Sequence, residues 1–203
     1  MPSFDYGQKE MDYLKRSDAK LGQAIERIGL IEREVNPDLF AALVQSVVAQ
    51  QIAAKAAATV WQRVRDRFGA IIPEALAVAS LTEIQQCGVS MRKAGYIQGI
   101  ATAVLSGEAR IHDLPELADA EIIKQLSVLP GIGVWTAEML LIFALERPDV
   151  VSWGDLAIRR GMMALYGLTQ LDKTQFARYR KRYSPYGSVA SFYLWRLATE
   201  GNT

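Results

Sequence analysis

The chain has 203 residues, half of them apolar, and a formal net charge of +1 at pH 7. That size supports one compact unit or two small subdomains, and so balanced a charge means that any nucleic-acid face must come from local clustering. Cys87 is the only cysteine and His112 the only histidine, which excludes an internal disulfide, a cysteine-built iron-sulfur centre and a conventional zinc site.

No N-terminal apolar run has signal-peptide form, and no apolar stretch approaches about twenty uninterrupted residues, so a soluble intracellular protein is expected. Residues 1–17 are polar and aromatic without firm periodicity, which suits an ordered arm or a short helix. Asp18 then opens an amphipathic segment with Leu21, Ile25 and Ile28 on one face, closing at Gly29. Asn36-Pro37-Asp38 reads as a cap followed by proline at the first helical position, leading into the buried pattern Leu39, Phe40, Leu43, Val44, Val47 and Val48.

Gln50-Gln51 interrupts that apolar run, and a second helix is predicted over 53–68, ending at Gly69. Ser80-Leu81-Thr82-Glu83 has capping-box form, and Ser90 starts a longer helix through 105. Arg92 and Lys93 at the head of that helix read as solvated surface. Residues 119–126 begin with a capping residue, Asp119, and carry Ile122, Ile123 and Leu126 at helical spacing.

Leu129-Pro130-Gly131-Ile132-Gly133 places two glycines and a proline before a further apolar helix over 135–145, so the unit is helix, hairpin, helix. Glycines let successive N–H groups point outward, and a helix start adds unpaired donors and the positive end of its dipole. Such a turn can hold a phosphate, although by itself it is also an ordinary corner between helices. After Arg147-Pro148, residues 150–154 read as an extended stretch leading to Asp155, which stands at the start of a helix over 156–166. An N-cap is the default role for an Asp there. Asp172 opens a helix over 176–183 with the basic run Arg178, Arg180, Lys181 and Arg182, by default a charged helix face but also suited to lie near DNA. Ser184-Pro185 is predicted to start a last helix holding Phe192, Trp195 and Leu197. No strand alternation or repeat is found, and the predicted fold is all α.

The string LPGIGVWTAE at 129–138, followed by WGDLAIRRG at 153–161, resembles the helix-hairpin-helix superfamily of DNA glycosylases, in particular its 3-methyladenine DNA glycosylase II branch. Residues 46–57 are similar to that family's Gly-Gln-Gln-Ile-Ser-x-Lys-Ala-Ala segment, with Ala49 and Ala53 in place of the usual Gly and Ser. Residues 191–196 resemble its last helix. The resemblance, spanning about residues 37–200, implies two helical subdomains flanking a cleft, one over 38–146 containing the hairpin, the other formed by 1–37 and 147–203.

It also implies roles. Asp155 is the expected catalytic carboxylate, Trp135 and Trp195 the expected base pocket, and Gln51 the side chain pushed into the duplex where the target base leaves. Leu129, Gly131, Ile132, Gly133 and Thr136 are the expected phosphate-binding hairpin, with a Na⁺ or K⁺ ion on the carbonyls of Ser127, Leu129 and Gly131. Bifunctional relatives carry a lysine nucleophile at the hairpin position where this chain has Trp135, so a monofunctional glycosylase for alkylated purines is expected. Its expected partner is double-stranded DNA with a damaged base, with no membrane and a monomeric state. The expected location is the cytoplasm, on the nucleoid, if bacterial, and the nucleus if eukaryotic. The branch's founding bacterial members carry a further N-terminal domain, and at 203 residues none is expected in this chain. Two other readings stay open on sequence grounds: a DNA-binding module without chemistry, and a glycosylase for deaminated or oxidised bases.

Overall fold

A computed structural model describes residues 2–200, and the elements among them are helical apart from one isolated antiparallel bridge between Ser3 and Glu34. In chain order the helices are α1 (Gln8–Ser17), α2 (Ala19–Ile28), α3 (Leu39–Ala49), α4 (Ala54–Phe68), α5 (Pro73–Val78), α6 (Leu81–Gln86) and α7 (Met91–Leu105). A 3₁₀ helix at Ile111–Glu116 follows, then α8 (Asp119–Leu126), α9 (Val134–Phe143), α10 (Leu156–Tyr166), α11 (Lys173–Tyr183) and α12 (Gly187–Glu200). The all-α expectation therefore holds.

Most helix starts follow local chemistry. Asp18, Ser80, Ser90, Asp155 and Asp172 each cap a helix by accepting the backbone N–H three residues on. Three starts differ from expectation. Asp38, not Asn36, caps α3, because Asn36 Oδ1 instead accepts the Asp38 N–H (3.2 Å) and closes a turn ahead of the helix. Asp119 is the first residue of α8 rather than its cap, Ala118 preceding it. Ser184-Pro185 ends α11 rather than opening α12, which begins at Gly187.

The chain divides into two compact units, Met1–Val35 with Leu141–Thr203, and Asn36–Leu140. The second boundary thus falls inside α9 rather than at 146. The cause is visible in the packing of Phe143, whose ring stacks on Phe192 (6.3 Å) and Trp195 (5.7 Å) and so commits the end of α9 to the first unit.

In that first unit the arm before α1 is ordered. Phe4 sits edge-on to Phe192 (5.1 Å), and the Tyr6 hydroxyl donates to the Ile31 carbonyl (2.7 Å). Gly161 lets α10 and α12 approach closely, since a Cβ there would lie 1.9 Å from the Leu194 carbonyl oxygen. In the second unit α7 is the spine: Ala94, Ile97, Ile100 and Ala101 are fully buried. Among the described residues, no helix is long and apolar enough to cross a membrane.

Candidate functional site

Asp155 is buried, at 7 % exposure, and both of its carboxylate oxygens are engaged. The Ile158 N–H donates to Oδ1 (2.9 Å) as the helix cap, and the Trp195 indole N–H donates to Oδ2 (3.1 Å). The capping role and the catalytic candidacy are thus carried by the same side chain. The helix start also places a partial positive charge beside the carboxylate, which favours an anion held there.

The segment that delivers Asp155 is stitched to the first turns of α12. The Val150 N–H donates to Ser188 Oγ (3.0 Å), the Ser191 hydroxyl donates to the Val150 carbonyl (2.9 Å), and the Ser188 N–H donates to the Pro148 carbonyl (2.9 Å). The Gly187 N–H donates to Asp149 Oδ1 (3.2 Å). With α10 and α12 in contact at Gly161, the two ends of the Asp155–Trp195 bond are fixed by the same helix pair. Gly154 and Leu156 on either side of Asp155 are exposed, so this place in the first unit is at its surface.

Trp195 is half-buried, with its ring stacked on Phe143 and Phe192. Its polar edge therefore serves Asp155, a link that the expectation of a stacking platform did not contain. Trp153, two residues before Asp155, packs edge-on to Phe176 (5.2 Å), and the Arg159 guanidinium lies 4.9 Å above it. Trp135 belongs to the second unit and is 44 % exposed on the first turn of α9.

The hairpin between α8 and α9 is built from buried anchors and an open backbone. Leu129 and Ile132 are buried, the Ile132 N–H donating to the Leu129 carbonyl (3.1 Å), while Gly133 and Val134 are exposed. Gly131 has φ +78, and a Cβ there would lie 2.3 Å from the Tyr96 ring of α7, so both its conformation and its packing demand glycine. Gly133 has no such neighbours within 4 Å. Thr136 is 4 % exposed, so a phosphate at this turn would be met by backbone N–H groups rather than by its hydroxyl.

Gln51 is exposed in the turn between α3 and α4, with φ +56, a left-handed conformation uncommon for a non-glycine residue. Ala53, Ala54, Lys55, Ala56 and Ala58 beside it are exposed as well, giving a low-relief surface. Sequence reasoning missed two residues near this turn. Lys93, expected in solvent, is partly buried, and its ammonium donates to the carbonyls of Val48 (2.8 Å) and Gln50 (2.6 Å). The Gln50 side-chain amide donates to the Gly131 carbonyl (2.8 Å). Neither residue type carries a local signal for such long-range partners.

All four residues of the basic run are exposed; Arg182 pairs with Asp18 Oδ2 (2.9 Å) and Arg180 donates to the Asp149 carbonyl (3.2 Å). His112 is exposed in the 3₁₀ helix, and Cys87 is buried, which pushes its thiol pKa up. Among the described residues, no three His, Cys, Asp or Glu side chains are grouped to hold a metal.

This geometry has close counterparts. DNA-3-methyladenine glycosylase 1 of Schizosaccharomyces pombe is 32% identical over 161 residues, covering 77% of this chain and 71% of that protein. The crystal structure of a DNA-3-methyladenine glycosidase from Bacillus halodurans has 36% sequence identity and a TM-score of 0.85, covering 100% of this chain and 94% of the other. The S. pombe enzyme in complex with abasic DNA superposes with a TM-score of 0.80 at 29% identity, covering 93% of this chain and 96% of that one. Residues 44–185, a span that holds the Gln51 turn, the hairpin and Asp155, match a family model, and the chain belongs to the HhH-GPD superfamily of base excision DNA repair proteins.

Proposed function

We propose that this protein is a DNA glycosylase that hydrolyses the N-glycosidic bond of alkylated purines in duplex DNA, of the 3-methyladenine and 7-methylguanine type, leaving an abasic site. The observation that carries the reading is the Asp155 carboxylate, buried at a helix start and held through both oxygens by Ile158 and Trp195. The named relatives support the substrate class.

A base stacked in a duplex is out of reach, so the nucleotide must be extruded and the gap propped, the role assigned to Gln51. As the bond from C1′ to the base nitrogen breaks, positive charge builds on the sugar. A fixed carboxylate offsets that charge without having to reorganise, and then takes a proton from the water whose oxygen adds to C1′. The departing base takes the bonding electrons. Alkylation at a ring nitrogen makes it a better leaving group, so a moderate catalyst suffices.

The hairpin backbone would hold a DNA phosphate. The expected cation ligands are the carbonyls of Ser127, Leu129 and Gly131; the last two each accept one bond and keep a second lone pair, and the Ser127 Oγ is a separate buried oxygen with no hydrogen-bond partner. This all-oxygen set fits a monovalent cation such as Na⁺ or K⁺, held by Ser127, Leu129 and Gly131, which would add positive charge beside the phosphate. The decisive experiment is base-release profiling on duplexes carrying 3-methyladenine, 7-methylguanine, hypoxanthine or 8-oxoguanine. Release of the alkylated purines supports the reading. Binding without release of any base would leave a DNA-binding module, and release confined to the last two would move the substrate class.

A further inference from the structure

We propose that Lys93 and Gln50 are positioning residues that lock the Gln51 turn onto the hairpin, so that the side chain entering the duplex and the backbone gripping its phosphate act as one rigid body. The proposal rests on the reading of the chain as an excision enzyme with Gln51 at the opened base pair.

Helix α3 ends at Ala49, and a helix end leaves its last carbonyls without partners. Lys93 supplies a charged donor to two of the carbonyls at this end, Val48 and Gln50, from the first turn of α7, more than forty residues away in sequence. A cation at a helix C-terminus is favoured by the dipole as well as by the hydrogen bonds. Burial holds the Lys93 pKa below its ordinary value, the mark of an ammonium withdrawn from water. A surface lysine would keep its solvent shell instead.

The next residue in the chain is the strained one. Gln51 has φ +56, and such a conformation persists only where its surroundings over-determine it. The residue before it supplies the second restraint, since the Gln50 amide reaches the Gly131 carbonyl of the hairpin (2.8 Å). Helix α7 completes the clamp. Tyr96, three residues beyond Lys93, packs on Gly131, and a Cβ on Gly99, three residues further, would lie 3.0 Å from the Pro130 ring. Lys93, Tyr96 and Gly99 therefore recur at the spacing of one helix face. The turn and the hairpin are referenced to the same helix and joined directly by Gln50.

Two variants remove the clamp without removing bulk, Lys93→Met and Gln50→Met, and Lys93→Arg is the conservative control. Single-turnover excision of 7-methylguanine is compared in a base-paired duplex and in a single strand, where no pair has to be opened. Positioning of Gln51 predicts at least about a fivefold loss on the duplex, less than about twofold on the single strand, and recovery by Lys93→Arg. A role in general stability would lower both substrates together along with the melting temperature, and that outcome overturns the proposal. Amide exchange of the DNA-free protein is read alongside and does not depend on activity. Both Met variants should speed exchange at residues 48–53, and unchanged exchange there also overturns the clamp. Failure of the wild-type protein to release any base would overturn the functional reading instead, leaving the exchange result to decide the clamp.

Discussion

The Trp195 indole N–H donates to Asp155 Oδ2 across 3.1 Å, joining two residues forty positions apart on α12 and α10. The bond makes the tryptophan an orienting group for the carboxylate as well as a pocket candidate, and the two roles are separable by mutation. Trp195→Phe keeps an aromatic ring and removes the N–H. A hydrogen bond to a charged group contributes about 1.5 to 3 kcal/mol, so excision should fall by about tenfold or more if most of that is expressed in the transition state. The loss should be equal for cationic 7-methylguanine and neutral hypoxanthine. Trp195→Ala also removes the ring, and cation-π stacking of about 0.5 to 2 kcal/mol would add a further loss confined to the cationic base. Equal losses in both variants would leave the ring as packing only.

Asp155→Asn should retain DNA binding while losing roughly 100-fold or more in single-turnover excision, the scale seen when one preorganised electrostatic group is removed. An Asn oxygen can still cap Ile158, but its amide would then face the Trp195 N–H donor, so a small drop in melting temperature is expected too. Excision at the wild-type rate would reduce Asp155 to a cap.

Product strands should remain intact until alkali or an abasic-site endonuclease is added, because the hairpin segment 129–138 carries Trp135 and no lysine amine that could form a Schiff base with the sugar. Borohydride trapping of a covalent complex with DNA would contradict this.

The two hairpin glycines should respond differently. Gly131→Ala forces a Cβ onto Tyr96 at φ +78 and should destabilise the fold by about 1 kcal/mol or more. At Gly133 nothing lies within 4 Å, so Gly133→Val should change stability by less than about 1 kcal/mol. If the exposed backbone there meets a phosphate, the valine should weaken binding to lesion and undamaged duplex by the same factor. Loss of affinity for one lesion alone would assign the turn to the pocket.

Asp18 gives a pH test of the fold. Burial pushes its pKa up, but the Leu21 N–H, the Tyr166 hydroxyl and the Arg182 guanidinium together outweigh burial and hold it below its ordinary value. A carboxylate whose folded pKa is depressed adds stability above its unfolded value of about 3.9, and loses that contribution as pH falls through the folded value. Asp18→Asn should therefore cost about 2 kcal/mol at pH 7, with the gap to wild type closing below about pH 4. Urea titrations between those pH values would show it, and parallel stability curves would exclude it.

The local sequence determined where five of the helices begin, because a cap is an interaction over three residues: Asp18, Ser80, Ser90, Asp155 and Asp172 were legible without any fold. It also marked the hairpin, since Gly131 needs a backbone angle that glycine tolerates best. Helix α1 was one of two readings of residues 1–17, left open for want of firm periodicity, and α5 was not legible because six residues are too few to show it. What only tertiary structure decided was the use of ordinary residues at long range. Lys93 looks like any solvated lysine until its ammonium meets α3, and Gln50 looks like a local amide until it reaches a hairpin 81 residues away. Trp195 became a partner of Asp155 only when Gly161 let α10 and α12 close together. Such bonds depend on which helices pack, and packing is set by burial summed over the whole chain rather than by the residues at either end of the bond.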